Sequence, residues 1–219
     1  MVRIMLDPGH GGRDPGAVAH GLKEKDLTLD IARRIKKLLA SDYDGITVYM
    51  TRDADRDVSL TERTTLANQL AVDLFLSLHI NAGGGTGFES YIFPDSGQKT
   101  QTMQAVLHDA IAEKVGPGVR NRGKKRGNFA VLRLTKMPAL LTENLFIDHP
   151  EDAALLRSAD FLTRLAQGYV SGIAACLRLR HKETNPGNSS SSTAGYRLLT
   201  GTFSRRQDAE QAAETLRKQ

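Results

Sequence analysis

The sequence predicts an α/β fold: a mostly parallel twisted sheet of about six strands with helices on both faces, followed by a short C-terminal β-α appendage. Two patterns predict it. Val2–Leu6, Leu74–Leu78 and Ala139–Thr142 are short, nearly continuous apolar runs, which is how strands buried on both faces of a parallel sheet read. Between them, apolar residues recur at helical spacing. Leu27, Ile31, Ile35, Leu38 and Leu39 form one stripe, and Met103, Val106, Leu107, Ala110, Ile111 and Val115 another. Phe161, Leu162, Leu165, Tyr169, Ile173, Ala174 and Leu177 form the third. With 219 residues, 40% hydrophobic and 25% charged, the chain has the size of one moderate domain with an addition.

In chain order, the first strand, Val2–Leu6, is stopped by Asp7-Pro8-Gly9, and Gly11-Gly12 lets the backbone keep turning. The first helix follows the loop that carries His20, with Asp26 as its candidate cap. Ile46–Thr51 reads as the second strand and Arg52–Val58 as a charged loop. Ser59-Leu-Thr-Glu62 is a capping box opening a helix with Leu60, Leu66, Ala67 and Leu70 on its apolar side. After Leu74–Leu78 come a glycine-rich segment, Gly83–Gly87, and a strand over Phe88–Phe93. The next helix has His108 off its stripe and exposed. Gly116–Asn128 reads as a basic loop that either contacts an anionic partner or is simply solvated. Phe129–Leu134 and Ala139–Thr142 are the last two strands, and a short and a long helix complete the domain. Domain boundaries are expected at 1–180 for this unit, 181–195 for a Ser/Asn/Pro/Gly-rich linker and 196–219 for the appendage.

Chemistry-bearing residues gather where strands end. His10 lies in the turn after the first strand, at the sheet edge where α/β folds bind ligands. By itself it reads equally as a metal ligand or as an idle loop histidine. His79 follows the third strand, Glu143 follows the last, and Glu24 opens the first helix. Two histidines and a carboxylate with an open fourth position form a catalytic zinc set, and a further carboxylate supplies a base. Glu89 either orients one of the histidines or makes a cross-strand charge pair. His20 is a rival ligand but reads better as a solvated loop residue, and His149 is close enough in sequence to assist Glu143. Cys176 reads as an inert core thiol, and Arg63 as structural.

Four motifs, DPGHGG, GLKEKDLTLDIA, SLHINA and PALLTENLFI, occur in this order. The chain from about Val2 to about Leu179 resembles the zinc-dependent N-acetylmuramoyl-L-alanine amidases of the amidase-3 family, most of all the Bacillus sporulation and phage lytic type. The resemblance implies one Zn2+ per chain held by His10, Glu24 and His79, with Glu143 as catalytic acid/base. It implies cleavage of the amide between N-acetylmuramic acid and L-alanine of the peptidoglycan stem peptide. One position departs: the family usually has Gly two residues after the catalytic Glu, and Leu145 stands here. Tyr196–Phe203 with the helix-like stretch after it resembles the first β-α half of a SPOR-type wall-binding repeat. Two alternatives stay open: a wall-binding module that has lost catalysis, and a zinc peptidase or amidase acting on soluble peptides.

Charge fits this implication without proving it. The net charge of +5 and pI near 9.4 suit a polyanionic wall as well as nucleic acid. No helix-turn-helix, RRM or zinc-finger spacing is present, so no nucleic-acid partner is expected. A monomer is expected, with no membrane insertion, because no apolar segment reaches membrane-spanning length. No signal peptide is read at the N-terminus. The expected route is therefore synthesis in the cytoplasm and action on the cell wall after lysis or holin-type release.

Overall fold

The computed structural model describes residues 1–182; the predicted SPOR-like segment and nearly all of the predicted linker lie outside these residues. In chain order, the strands are β1 (Val2–Pro8), β2 (Val18–Ala19), β3 (Leu22–Lys23), β4 (Tyr43–Asp44), β5 (Ile46–Met50), β6 (Leu74–Asn81), β7 (Phe88–Ile92), β8 (Asn121–Arg126), β9 (Ala139–Phe146) and β10 (Arg180–His181). The helices are α1 (Glu24–Asp42), α2 (Leu60–Gln69), α3 (Gln98–Val115), α4 (Ala130–Arg133), α5 (Pro150–Arg157) and α6 (Ala159–Leu177). Six strands form the main sheet in the order β5-β1-β6-β9-β7-β8. All neighbours run parallel except β7 and β9, which are antiparallel. No helix among the described residues is long and apolar enough to cross a membrane.

Alternation along the strands builds the two layers. Ile4, Leu6, Leu74, Leu76, Leu78 and Leu140 pack in one cluster with Ile31, Ile35, Leu107, Ile111, Leu165, Tyr169 and Ile173 of α1, α3 and α6. The intervening Met5, Phe75, Ala139 and Leu141 pack with Ala67, Val131 and Leu132 of α2 and α4. Three long helices thus cover one face and two short ones the other.

Several local expectations change. Phe129–Leu134 is not a strand: Phe129 precedes the single turn of α4, and β9 alone supplies the main-sheet strand there. The basic segment expected to be a loop contains β8, which pairs in parallel with β7 through Ser90↔Lys124 and Ile92↔Arg126. It is an edge strand, where a run of charged side chains is tolerated and discourages further pairing. Its placement buries His108, expected outside, to 1% exposure, with Ser90 Oγ and Asn121 Oδ1 each 2.9 Å from the ring. Asp26 does not cap α1; Lys23 stands at the N-cap without a side-chain bond, and Asp26 sits in the first turn. The Ser59–Glu62 capping box is present, but Leu60 is 55% exposed. The compact unit runs to Lys182. Arg180 and His181 pair with Asp44 and Tyr43, and the Lys182 amide donates to Asp42 O at 2.8 Å.

The turn after β1 is held by a buried ionic knot. Asp7 is fully buried. Its carboxylate accepts from Thr51 Oγ1, Ser77 Oγ and Arg63 Nη1, each at 2.7 Å. Arg63 also donates to Pro8 O at 2.7 Å and His10 O at 2.8 Å. Arg52, read from the sequence as part of a charged loop, is fully buried and donates to Pro8 O and Gly9 O, both at 3.0 Å, and to Lys25 O at 2.7 Å. Two cations thus satisfy three successive carbonyls that no ladder reaches. Asp7→Asn keeps the shape but leaves the buried Arg63 guanidinium without its counter-charge. Urea denaturation should show a loss of about 3–5 kcal/mol. A loss near zero would show that the backbone carbonyls alone satisfy the arginines.

Candidate metal centre and cleft

His10, Glu24 and His79 meet at the carboxyl end of β1 and β6, with one possible ligand atom from each within 4.8 Å of the others. His10 has a left-handed backbone (φ 61°), a conformation in which His is enriched among non-glycine residues and which concentrates at functional sites. Glu24 is the first residue of α1, where the helix dipole favours a carboxylate. Its Oε1 lies 3.1 Å from His10 Nε2 and 2.9 Å from His79 Nδ1, and accepts the Ile80 amide at 2.9 Å. Its Oε2 accepts the Ala17 amide at 2.9 Å. His79 lies in β6, and the two rings stand 5.0 Å apart, nearly perpendicular. Close approach requires glycine at two points. A Cβ on Gly9 would fall 2.3 Å from the His79 ring, and one on Gly16 would fall 2.6 Å from Glu24 Oε2.

The donor set fits a zinc ion: two imidazole nitrogens and one carboxylate oxygen face one point. The other nitrogen of His10, Nδ1, lies 2.7 Å from Asp14 Oδ2, the carboxylate–histidine arrangement that orients metal ligands. Sequence reasoning missed Asp14; its signal was an acid four residues after the candidate ligand histidine in the same turn. Burial by itself would lower the His10 pKa, but the neighbouring Glu24 and Asp14 carboxylates outweigh it and raise it to about 9. Burial by itself would raise Glu24, but bonding to His10 and His79 holds it well below the usual carboxylate range.

Glu143 lies within β9, in register with His79 on one side and Glu89 on the other. It lines a cleft of about 340 Å³ together with His10 and His79. Its Oε2 is buried without a hydrogen-bond partner. Desolvation pushes its pKa up to about 7, with Glu24 and Glu89 adding to the rise and the His79 charge opposing it. Leu145, where glycine was expected, keeps the left-handed conformation (φ 72°) at a one-residue bulge. That backbone costs a leucine about 1–2 kcal/mol, and complete burial of its side chain offsets it.

Other candidates lie elsewhere. Glu89 does not touch either histidine; it accepts from Asn81 and Tyr91 at 2.9 Å and from Arg122 at 2.7 Å, and pairs with Lys125. The charge-pair reading holds, with both cations from neighbouring β8. His20 faces Asp148 O at 3.2 Å. His149 stands at the N-cap of α5, 3.8 Å from Asp152 Oδ1. Arg63 lines the cleft, but its guanidinium is committed to the knot. Cys176 is half-buried, and burial raises its thiol pKa to about 11.

Comparison with known proteins gives the family of the chain. Residues 4–175 match the family described as N-acetylmuramoyl-L-alanine amidase. The chain is 44% identical over 213 residues to the sporulation-specific N-acetylmuramoyl-L-alanine amidase of Bacillus subtilis, covering 97% of this chain and 80% of the relative. It is 46% identical over 183 residues to the endolysin of Bacillus phage SPP1, covering 82% and 67%. Among solved structures, the catalytic domain of CwlV, an N-acetylmuramoyl-L-alanine amidase from Bacillus (Paenibacillus) polymyxa, superposes with a TM-score of 0.77 at 31% identity, covering 82% of this chain and all of that one. The chain therefore belongs to the N-acetylmuramoyl-L-alanine amidase family.

Proposed function

We propose that the protein is a zinc-dependent peptidoglycan hydrolase that cleaves the amide between N-acetylmuramic acid and L-alanine, with His10, Glu24 and His79 as the metal ligands and Glu143 as the general acid/base. The observation that carries the reading is the convergence of the three ligand atoms within 4.8 Å beside a cleft that also contains Glu143. Zinc in this set would polarise the scissile carbonyl and lower the pKa of water. Glu143, with a pKa near 7 and a bare carboxylate oxygen, is matched to take a proton from the attacking water and return it to the departing amine. Glu24, held well below the usual carboxylate range by its imidazole and amide neighbours, remains an anion throughout. Asp14 keeps the His10 ring turned so that Nε2 faces the ligand cluster. The protein works as a monomer on the polymeric wall, either in sporulation or as a lytic enzyme, and residues 196–219 contribute wall attachment.

The test is digestion of purified walls. Mass spectrometry should find intact glycan strands and new L-alanine amino termini; cleavage within the peptide instead would favour the peptidase alternative, and no cleavage the binding module.

The two glutamates should separate cleanly. Glu143→Gln should lose about 10²–10⁴-fold in turnover with zinc content unchanged at one per chain. Glu24→Gln should lose metal and activity together. The reverse pattern would exchange their roles. Asp14→Asn should weaken zinc affinity by about 10–100-fold, with turnover recovered at excess zinc; unchanged affinity would remove Asp14 from the centre. Ending the chain after Lys182 should leave hydrolysis of soluble muropeptide within about twofold, because the packed unit stops there, while release of dye from intact walls slows. Loss of folding in the shortened chain would place the domain boundary elsewhere.

A further inference from the structure

Phe129 is a large aromatic side chain left 36% exposed, and it lines the same cleft as His10, His79 and Glu143. Its position is fixed from several directions. Its backbone carbonyl accepts the Leu132 and Arg133 amides at 3.0 and 2.9 Å, opening α4. Its ring packs edge-to-face with Tyr91, centroids 5.1 Å apart at 76°. Tyr91 is itself held by its hydroxyl bond to Glu89 at 2.9 Å and has the Lys125 ammonium 5.7 Å from its ring centroid. The ring of Phe129 also sits over Gly127: a Cβ there would come within 2.5 Å of Phe129 Cε2 and 3.1 Å of Tyr91 Cδ1. An exposed phenylalanine held this way is preorganised for contact.

We propose that Phe129 is the platform for the N-acetylmuramic acid ring, a sugar subsite beside the candidate metal centre; the proposal rests on the amidase reading above. The two halves of such a substrate differ in chemistry. The stem peptide carries carboxylates, and the sugar presents faces of weakly electropositive C–H bonds. The wall next to Phe129 is apolar, with Ala130, Val131 and Leu60 in the lining. The one arginine or lysine in that lining, Arg63, is spent on Asp7, Pro8 and His10. No lysine or arginine is left free in that lining for a peptide carboxylate. An aromatic face, negative at its centre, attracts C–H edges, and so it fits the sugar. Phe129 acts by positioning: it anchors the glycan side while the amide lies at the ligand cluster.

The experiment uses the full-length zinc-loaded enzyme with muramyl tripeptide as substrate and the two products, N-acetylmuramic acid and the free tripeptide, as inhibitors. Phe129→Leu retains apolar bulk but removes the aromatic face. KM should rise about threefold to tenfold with kcat nearly unchanged. Inhibition by N-acetylmuramic acid should weaken by the same factor, while inhibition by the tripeptide stays constant. Phe129→Trp should restore the sugar's affinity. Gly127→Ala, which displaces the ring without altering it, should reproduce the Phe129→Leu pattern; zinc content and thermal midpoint equal to wild type establish that each variant is folded. The subsite is refuted if N-acetylmuramic acid inhibits Phe129→Leu as well as it inhibits wild type, if it does not inhibit wild type, or if tripeptide inhibition is what weakens. Failure of wild type to cleave muramyl tripeptide would refute the amidase reading itself, whereas cleavage by wild type with an indifferent Phe129→Leu would refute the sugar subsite alone.

Discussion

The buried carboxylate of Asp7 is the constraint on which the site depends. It sits at the end of β1, where the ladder stops and the chain must turn back over the sheet edge. Paired with Arg63 and close to Arg52, it makes burial of cationic groups tolerable. Those two side chains in turn take up the carbonyls of Pro8, Gly9 and His10. The left-handed backbone of His10 is therefore held by the Arg63 bond from α2 as well as by the Gly11–Asp14 backbone pair of the turn. Glycine at position 9 lets the His79 ring lie against this turn. The knot thus holds the turn that carries His10 against His79, 69 residues further along the chain.

The same sheet edge gives its two glutamates opposite character. Glu24 meets a helix N-terminus, two backbone amides and two imidazoles, and each interaction favours the anion. Glu143 faces the cleft with one oxygen buried and unbonded, and carboxylates on both sides, so the protonated form is favoured. Divergent environments of this kind push the two carboxylates toward opposite protonation states. Glu89 contributes to both arrangements: it raises Glu143 through its charge and anchors Tyr91, against which Phe129 rests.

Much of this was legible in the sequence. Continuous apolar runs identified β1, β6 and β9, because both faces of those strands are buried. Helical periodicity identified α1, α3 and α6, since a long amphipathic stripe has one reading. Ser59 and Glu62 announced the start of α2 because a capping box is a local structure. His10, Glu24, His79 and Glu143 were visible because each sits in a distinctive motif, although the sequence placed His79 and Glu143 just past strands that in fact run through them. Short or charged segments were not legible. Phe129–Leu134 has six residues, too few to separate a strand from one helical turn. β8 consists of polar and basic residues with one glycine and became a strand only because β7 offered it an edge.

What the sequence determined alone was what neighbours in the chain decide: helix stripes, the capping box of α2, turns and the types of residue available for chemistry. Tertiary structure decided everything that depends on partners distant in sequence. It buried Arg52 by supplying three carbonyls and a nearby Asp7, and His108 by laying β8 across α3. It turned Glu89 away from the histidines towards the cations of β8, and paired His10 with Asp14 while aiming its other nitrogen at Glu24. It also brought Phe129 to the wall of the cleft. The physical reason is that burying a polar or charged group costs more than local preference can offset. Where such a group ends up is therefore set by the partner that satisfies it, and that partner is chosen by the fold.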